Sequence, residues 1–182
     1  CALHPTLGQY KAQVMADRVR DIHPDCQVRA INRLYTEEDK ADFFDVPYDY
    51  IVDAIDLVSC KLSLIAHAHH LGIPIISALG TGNKLDPTAF RVADINQTSV
   101  CPLARVVRRE LKARGILHHK VLFSTEPALT PAPLDAPPPG RRSIPASVSW
   151  VPSCAGLQLA GAVILDLVHT PESPSNVEPA SN

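Results

Sequence analysis

The stretch YDYIVDAIDLVSCK, Tyr48–Lys61, decides the fold. Residues 49–55, DYIVDAI, form a short apolar run carrying Asp53, with Asp56 directly behind it. Such a run is too apolar for a half-exposed edge, and it predicts a strand near the centre of a parallel sheet. A helix follows over 58–71 and Gly72 closes it, because glycine takes the left-handed cap at no steric cost. Pro74 then opens the next strand, PIISAL. Strand, helix and strand in this rhythm predict the α/β class: an open, mostly parallel sheet covered by helices.

Working outward, residues 8–22 place Ala12, Met15, Val19 and Ile22 at 3-4-3 spacing, one apolar face of an amphipathic helix that Pro24 stops. CQVRAI (26–31) predicts a short strand. Thr36 with Asp39 resembles a capping box in front of a short helix reaching Phe44. Further on, FRVADI (90–95) and KVLFS (120–124) predict strands around a helix with Pro102 in its first turn and Gly115 past its end. SVSWV (147–151) predicts a last strand and CAGLQLAGAVILDLV (154–168) a last helix.

Composition narrows the function class. The chain has 182 residues, 46% apolar and 20% charged, with a net charge of −2. That balance gives no global pull toward nucleic acid or membrane, so such contacts need a local patch. No apolar run is expected to reach the roughly 18–20 residues that span a bilayer. Five widely spaced cysteines predict free thiols in a cytoplasmic protein rather than a disulfide framework. Seven of the 17 prolines lie between Pro127 and Pro145, so 127–145 reads as a proline-rich linker and 169–182 as a disordered tail. Residues 1–126 and 146–168 are then the parts that pack together. With Cys1 at its start, the chain is expected to be a fragment truncated at its amino end.

Asp56 leads the chemistry. Ligands of open α/β sheets bind outside the carboxyl ends of the strands, and a carboxylate there can hold Mg²⁺ against nucleotide phosphates. Capping the next helix is the competing role. Asp53, inside the strand, reads as a structural acid. Lys11 opens the first helix, where it either reaches a phosphate or stays a solvated surface lysine. GTGNK (80–84) matches no phosphate-loop pattern and reads as a turn after a strand. His67, His69 and His70 lack a third metal ligand in register, and the cysteines form no C-x-x-C pair. Cys154 stands near a helix start but reads as core packing. Arg105, Arg108, Arg109 and Lys112 share one side of the 102–114 helix, with Arg114, His118, His119, Lys120, Arg141 and Arg142 further along. They are either a solvated basic face or a footprint for RNA phosphates.

HPTLGQYKAQVMADRVRDIHP, YDYIVDAIDxxxxK, GIPIISALGTGNKLDPT, CPLARxxRRELK and VLFSTEP occur in this order. Together they resemble the E1-like adenylating superfamily (ThiF/MoeB type), and within it the tRNA threonylcarbamoyladenosine dehydratases. The resemblance implies a Rossmann-like E1-like fold and ATP-dependent activation of a carboxylate. The threonylcarbamoyl carboxylate on an adenosine of tRNA is adenylated, and ring closure then expels AMP. Carried over by motif, Lys11 contacts the ATP phosphates, Asp56 holds Mg²⁺, and Lys61 either helps bind nucleotide or substrate carboxylate or stays a helix-surface lysine. Arg105, Arg108, Arg109 and Lys112 become the tRNA-facing group, and a homodimer is expected, with a sulfur-transfer protein as a further candidate partner. The family's glycine-rich turn, ribose-binding acid and phosphate-binding arginine have no counterpart in the chain, so it is expected to bind ATP poorly or not at all on its own and to be inactive as a fragment. Activation of a sulfur-carrier protein's carboxyl terminus is the alternative reaction, and a non-catalytic fragment the alternative role.

Overall fold

In the computed structural model, residues 3–130 and 146–169 are described. Five α-helices and four strands follow in the order α1 (Lys11–Ile22), α2 (Lys40–Phe43), β1 (Ile51–Asp53), α3 (Val58–Leu71), β2 (Ile75–Ala78), β3 (Phe90–Asp94), α4 (Pro102–Ala113), β4 (Lys120–Ser124) and α5 (Trp150–His169). One sheet runs β1-β2-β4-β3. β1, β2 and β4 are parallel, and β3 pairs antiparallel with β4 in the register Phe90↔Ser124 to Asp94↔Lys120.

The period-two alternation of strand side chains assembles two cores. Ile75, Val121 and Phe123 point to one face, where Leu62, Ile65 and Ala68 of α3 meet Ala104, Val107 and Leu111 of α4. Ile76 and Leu122 point to the other face, joined by Phe90 and by Val151, Ala155 and Leu159 of α5. Helices therefore cover both faces, as parallel strands require. α3 ends on Gly72 at φ 69°, the left-handed cap its sequence calls for.

Four features depart from the sequence reading. Residues 26–31 form no ladder, and 147–149 are irregular, with Trp150 and Val151 opening α5. β1 is an end strand among the described residues, not a central one, and its Val52 is 49% exposed because α5 packs over β2, β3 and β4 instead. α5 also overturns the expectation about apolar length: its 20 residues are long and apolar enough to cross a membrane. Its inward face is nevertheless held in the second core, and Asp166 accepts from Lys120 Nζ (2.6 and 2.7 Å) and from Tyr50 Oη (2.6 Å). The expected linker from residue 131 and the tail from residue 170, with Arg141 and Arg142, lie outside the described residues.

Candidate functional site

β1 stops at Asp53, and residues 54–57 turn into α3. The turn puts Asp56 on the wall of a cleft of about 180 Å³ at the carboxyl ends of β1 and β2. Ala54, Leu79, Gly80 and Thr81 supply its strand-end side, Leu103 its α4 side, and Pro152, Ala155, Gly156 and Leu159 its α5 side. The GTGNK turn thus lines the cleft through Gly80 and Thr81. Its Asn83 (φ 58°) hydrogen-bonds Ala146 and Leu129, and its buried Lys84 donates to the Glu126 carbonyl.

The cleft wall is poor in charge, and the backbone sets its electrostatics. α3, α4 and α5 all begin at this end of the sheet, and none carries an acidic residue in its first turn. Their aligned peptide dipoles leave partial positive charge there, which favours an anionic ligand. Asp56 is exposed and, among the described residues, makes no hydrogen bond or ion pair. It does not cap α3, whose N-cap is Leu57 without a side-chain bond. The capping alternative is therefore excluded, and two hard oxygens remain free on the cleft wall. A single free carboxylate suits Mg²⁺, which takes one or two carboxylates and fills its shell with phosphate oxygens and water.

The other expected site residues are not gathered there. Lys11, the first residue of α1, is exposed and does not line the cleft. No residue of α1 belongs to either core, and of its expected apolar face Met15 and Ile22 are 41% and 74% exposed while Ala16 is buried. Lys61 is neither a ligand-facing nor a surface lysine. It is fully buried, donating to Asp53 Oδ2 at 2.6 Å and to the Ala78 carbonyl at 3.0 Å. Its helical position relative to Val58, on the sheet-facing side of α3, turns it inward toward a buried carboxylate that needs a cation.

The basic side of α4 also divides. Arg105, Arg109 and Lys112 are exposed at i, i+4 and i+7. Arg108 is withdrawn from that face: its guanidinium donates to the Thr98 carbonyl (2.9 Å) and Thr98 Oγ1 (2.6 Å), closing the loop ahead of α4. Arg109 pairs with Glu110 at 2.8 Å while remaining 75% exposed. Cys154 lies beside the cleft residue Ala155 without lining the cleft.

A larger cavity, about 450 Å³, opens at the opposite, amino ends of the strands among His69, Asp94, His118, His119 and Lys120. His119 Nε2 sits 2.8 Å from Ser77 Oγ, and its Nδ1 lies 3.4 Å from His69 Nε2. Burial, with His69 and Lys61 nearby, lowers the His119 pKa to about 4. His67 stacks on His70 and packs edge-on against Phe44. Sequence reasoning missed the His69–His119 contact because the two residues are 50 positions apart.

Residues 2–170 match the model of the ThiF family. The chain is 38% identical to the tRNA threonylcarbamoyladenosine dehydratase of Bacillus subtilis (strain 168), over 92% of this chain and 69% of that protein. It is 37% identical to the Escherichia coli (strain K12) protein of the same name, over 71% of this chain and 52% of that protein. The solved structure of TcdA (CsdL) superposes with a TM-score of 0.79 at 31% identity, covering 92% of this chain and 67% of that one. The E. coli dehydratase solved in complex with ATP gives a TM-score of 0.69 at 30% identity, covering 90% of this chain and 69% of that chain.

Proposed function

Because the chain belongs to the ThiF family, we propose that it acts as an ATP-dependent tRNA threonylcarbamoyladenosine dehydratase with its reaction centred on the Asp56 cleft. The carrying observation is the Asp56 carboxylate, free of partners among the described residues, where three helix amino ends converge. Relatives solved with AMP and with ATP support a nucleotide as the anion received there.

The reaction brings anions together. A carboxylate oxygen attacks the α-phosphorus of ATP, pyrophosphate leaves, and closure of the substrate ring then displaces AMP. Asp56 would hold Mg²⁺, which when bound neutralises phosphate charge and polarises the phosphoryl oxygens. The amino ends of α3 and α4 add fixed positive potential aimed at the same charge. The apolar wall from Leu79, Leu103 and Leu159 keeps water from the activated carboxyl group. Lys11 reaches the phosphates only if α1 shifts toward the cleft when nucleotide binds, and this remains part of the proposal.

Further features complete the reading. Arg105, near the cleft residue Leu103, begins a row of exposed cations that continues through Arg109 to Lys112, suited to tRNA phosphates. The outer face of α5 presents Leu157, Ala160, Gly161, Ile164 and Val168, with open space beside Gly156 and Gly161. α5 contains no lysine or arginine to lie against lipid headgroups, so a second copy of the chain is its proposed cover, giving a homodimer. The proposed compartment is the cytoplasm. The test is release of AMP and pyrophosphate from ATP: it should require tRNA bearing threonylcarbamoyladenosine. Release driven instead by a sulfur-carrier protein would replace this reading with the alternative activation.

A further inference from the structure

Asp53 and Lys61 have no exposed side-chain surface, yet one hydrogen-bonded bridge joins them to three parts of the cleft's floor. Asp53 Oδ1 accepts from the Ile55 amide at 2.9 Å, which folds the chain back immediately before Asp56. Asp53 Oδ2 accepts from Lys61 Nζ at 2.6 Å, tying the end of β1 to the first turn of α3 immediately after Asp56. The same ammonium donates to the Ala78 carbonyl at 3.0 Å, tying both to the end of β2. Ala54, Asp56 and Ala78 all line the cleft above this bridge. Residues 54–57 belong to no helix or strand, and only the Leu57 carbonyl, which accepts from the Lys61 amide at 2.9 Å, ties them to the backbone of α3. A buried ion pair gives little net stability over an apolar pair of similar size. Its distinct contribution here is to fix the turn at both ends.

We infer that the Asp53–Lys61 pair is a positioning device that sets where the Asp56 carboxylate stands in the cleft. The inference rests on the function proposed above, and it assigns Lys61 a role through Asp56 rather than on the nucleotide. Neither side chain touches the ligand; both act by restricting the turn.

The discriminating variant is the double substitution Asp53→Leu with Lys61→Met in the complete chain. It removes both charges together, so melting should stay within a few degrees of the unaltered protein. Amide exchange at Ile55, Asp56 and Leu57 should quicken about tenfold relative to α4 and β4. Affinity for Mn²⁺ with ATP should fall about tenfold, the usual scale for losing a group that orients a metal ligand. In an Asp56→Ala background the double substitution should cost no further affinity. Should the double variant not fold, Asp53→Asn with Lys61→Met keeps an acceptor for the Ile55 amide, leaves no buried charge unpaired, and should shift both readings the same way. Unchanged exchange at 55–57 overturns the inference, as does faster exchange with unchanged Mn²⁺·ATP affinity, which would make the pair structural only. If the unaltered full-length protein binds no Mn²⁺·ATP, the proposed function fails, and the exchange measurement still decides whether the pair fixes the turn.

Discussion

The two ends of the parallel strands differ in what their polar groups have left to do. At the amino ends the cavity is larger, about 450 Å³, but its polar side chains are engaged with one another: His119 with Ser77 and His69, Asp94 with His118, and Lys120 with Asp166. At the carboxyl ends the cleft holds only about 180 Å³, yet Asp56 lines it without a partner among the described residues. Volume and unspent hydrogen-bonding capacity therefore point to opposite ends, and the proposed reaction is placed at the end where helix dipoles also converge. A site is marked by chemistry left unsatisfied, and a satisfied network marks a fastening.

The largest test of that contrast removes one partner from each end. Lys61→Met leaves the Asp53 carboxylate buried and unpaired, which should cost about 3–5 kcal/mol of stability. Asp166→Asn at the amino ends breaks a partly exposed pair (side chains 36% and 34% exposed) and should cost about 1 kcal/mol. Urea denaturation of both variants measures the difference, and equal losses would erase the distinction between the two fastenings. Turnover should rank the ends the same way. Asp56→Ala should slow adenylation at least about 10²-fold, the scale for losing transition-state charge stabilisation. His118→Ala, in the larger cavity, should leave the rate nearly unchanged. Single-turnover AMP release checks both, and near-normal release from Asp56→Ala would contradict the assignment.

Acid should act first at the amino ends. His119 carries a pKa of about 4 in the folded chain against an ordinary 6.5, because burial disfavours the imidazolium and His69 and Lys61 repel it, with Asp94 opposing. Between pH 6.5 and 4 the unfolded chain binds a proton that the folded chain refuses. Stability must then fall as pH drops through that window, by on the order of 3 kcal/mol, and level off below it. Asp94 and Asp166, both with lowered pKa values, stabilise the fold above the ordinary carboxylate range, and that contribution is lost at lower pH. Melting curves of His119→Gln should lose most of the slope between pH 6.5 and 4. A slope equal to that of the unaltered protein would assign it to other groups.

What the sequence disclosed follows the range of each interaction. α3, α4 and β4 were legible because their signals are local: Gly72 takes the left-handed cap, Pro102 and Gly115 bracket α4, and an unbroken apolar run marks β4. Residues 26–31 and 147–149 have strand-like composition, but a strand also needs a partner edge, and composition carries no record of one. The position of Asp56 at a strand end beside a cleft was legible because strand, acid and helix are contiguous. Lys61 was misplaced because its surroundings depend on Ala78, 17 residues away, and Arg108 because its partners are carbonyls of the loop ahead of α4. Side chains that answer to distant backbone groups leave no periodic trace.

The smallest effect belongs to the surface leading away from the cleft. Arg105 and Lys112 stand seven residues apart on α4, about 10 Å along the axis, a span suited to two phosphates of one RNA strand. Because Arg108 is turned inward onto Thr98, changing it would damage the loop before α4 and report on folding rather than on RNA. Arg105→Glu with Lys112→Glu should instead leave melting unchanged while tRNA binding weakens several-fold. Each lost phosphate contact should also lower the slope of log affinity against log salt by about 0.7–0.9. Titration at several salt concentrations reads both quantities, and unchanged affinity with unchanged slope would move the RNA to another face. A weaker affinity with an unchanged slope would mean that the two side chains shape the surface without meeting phosphate.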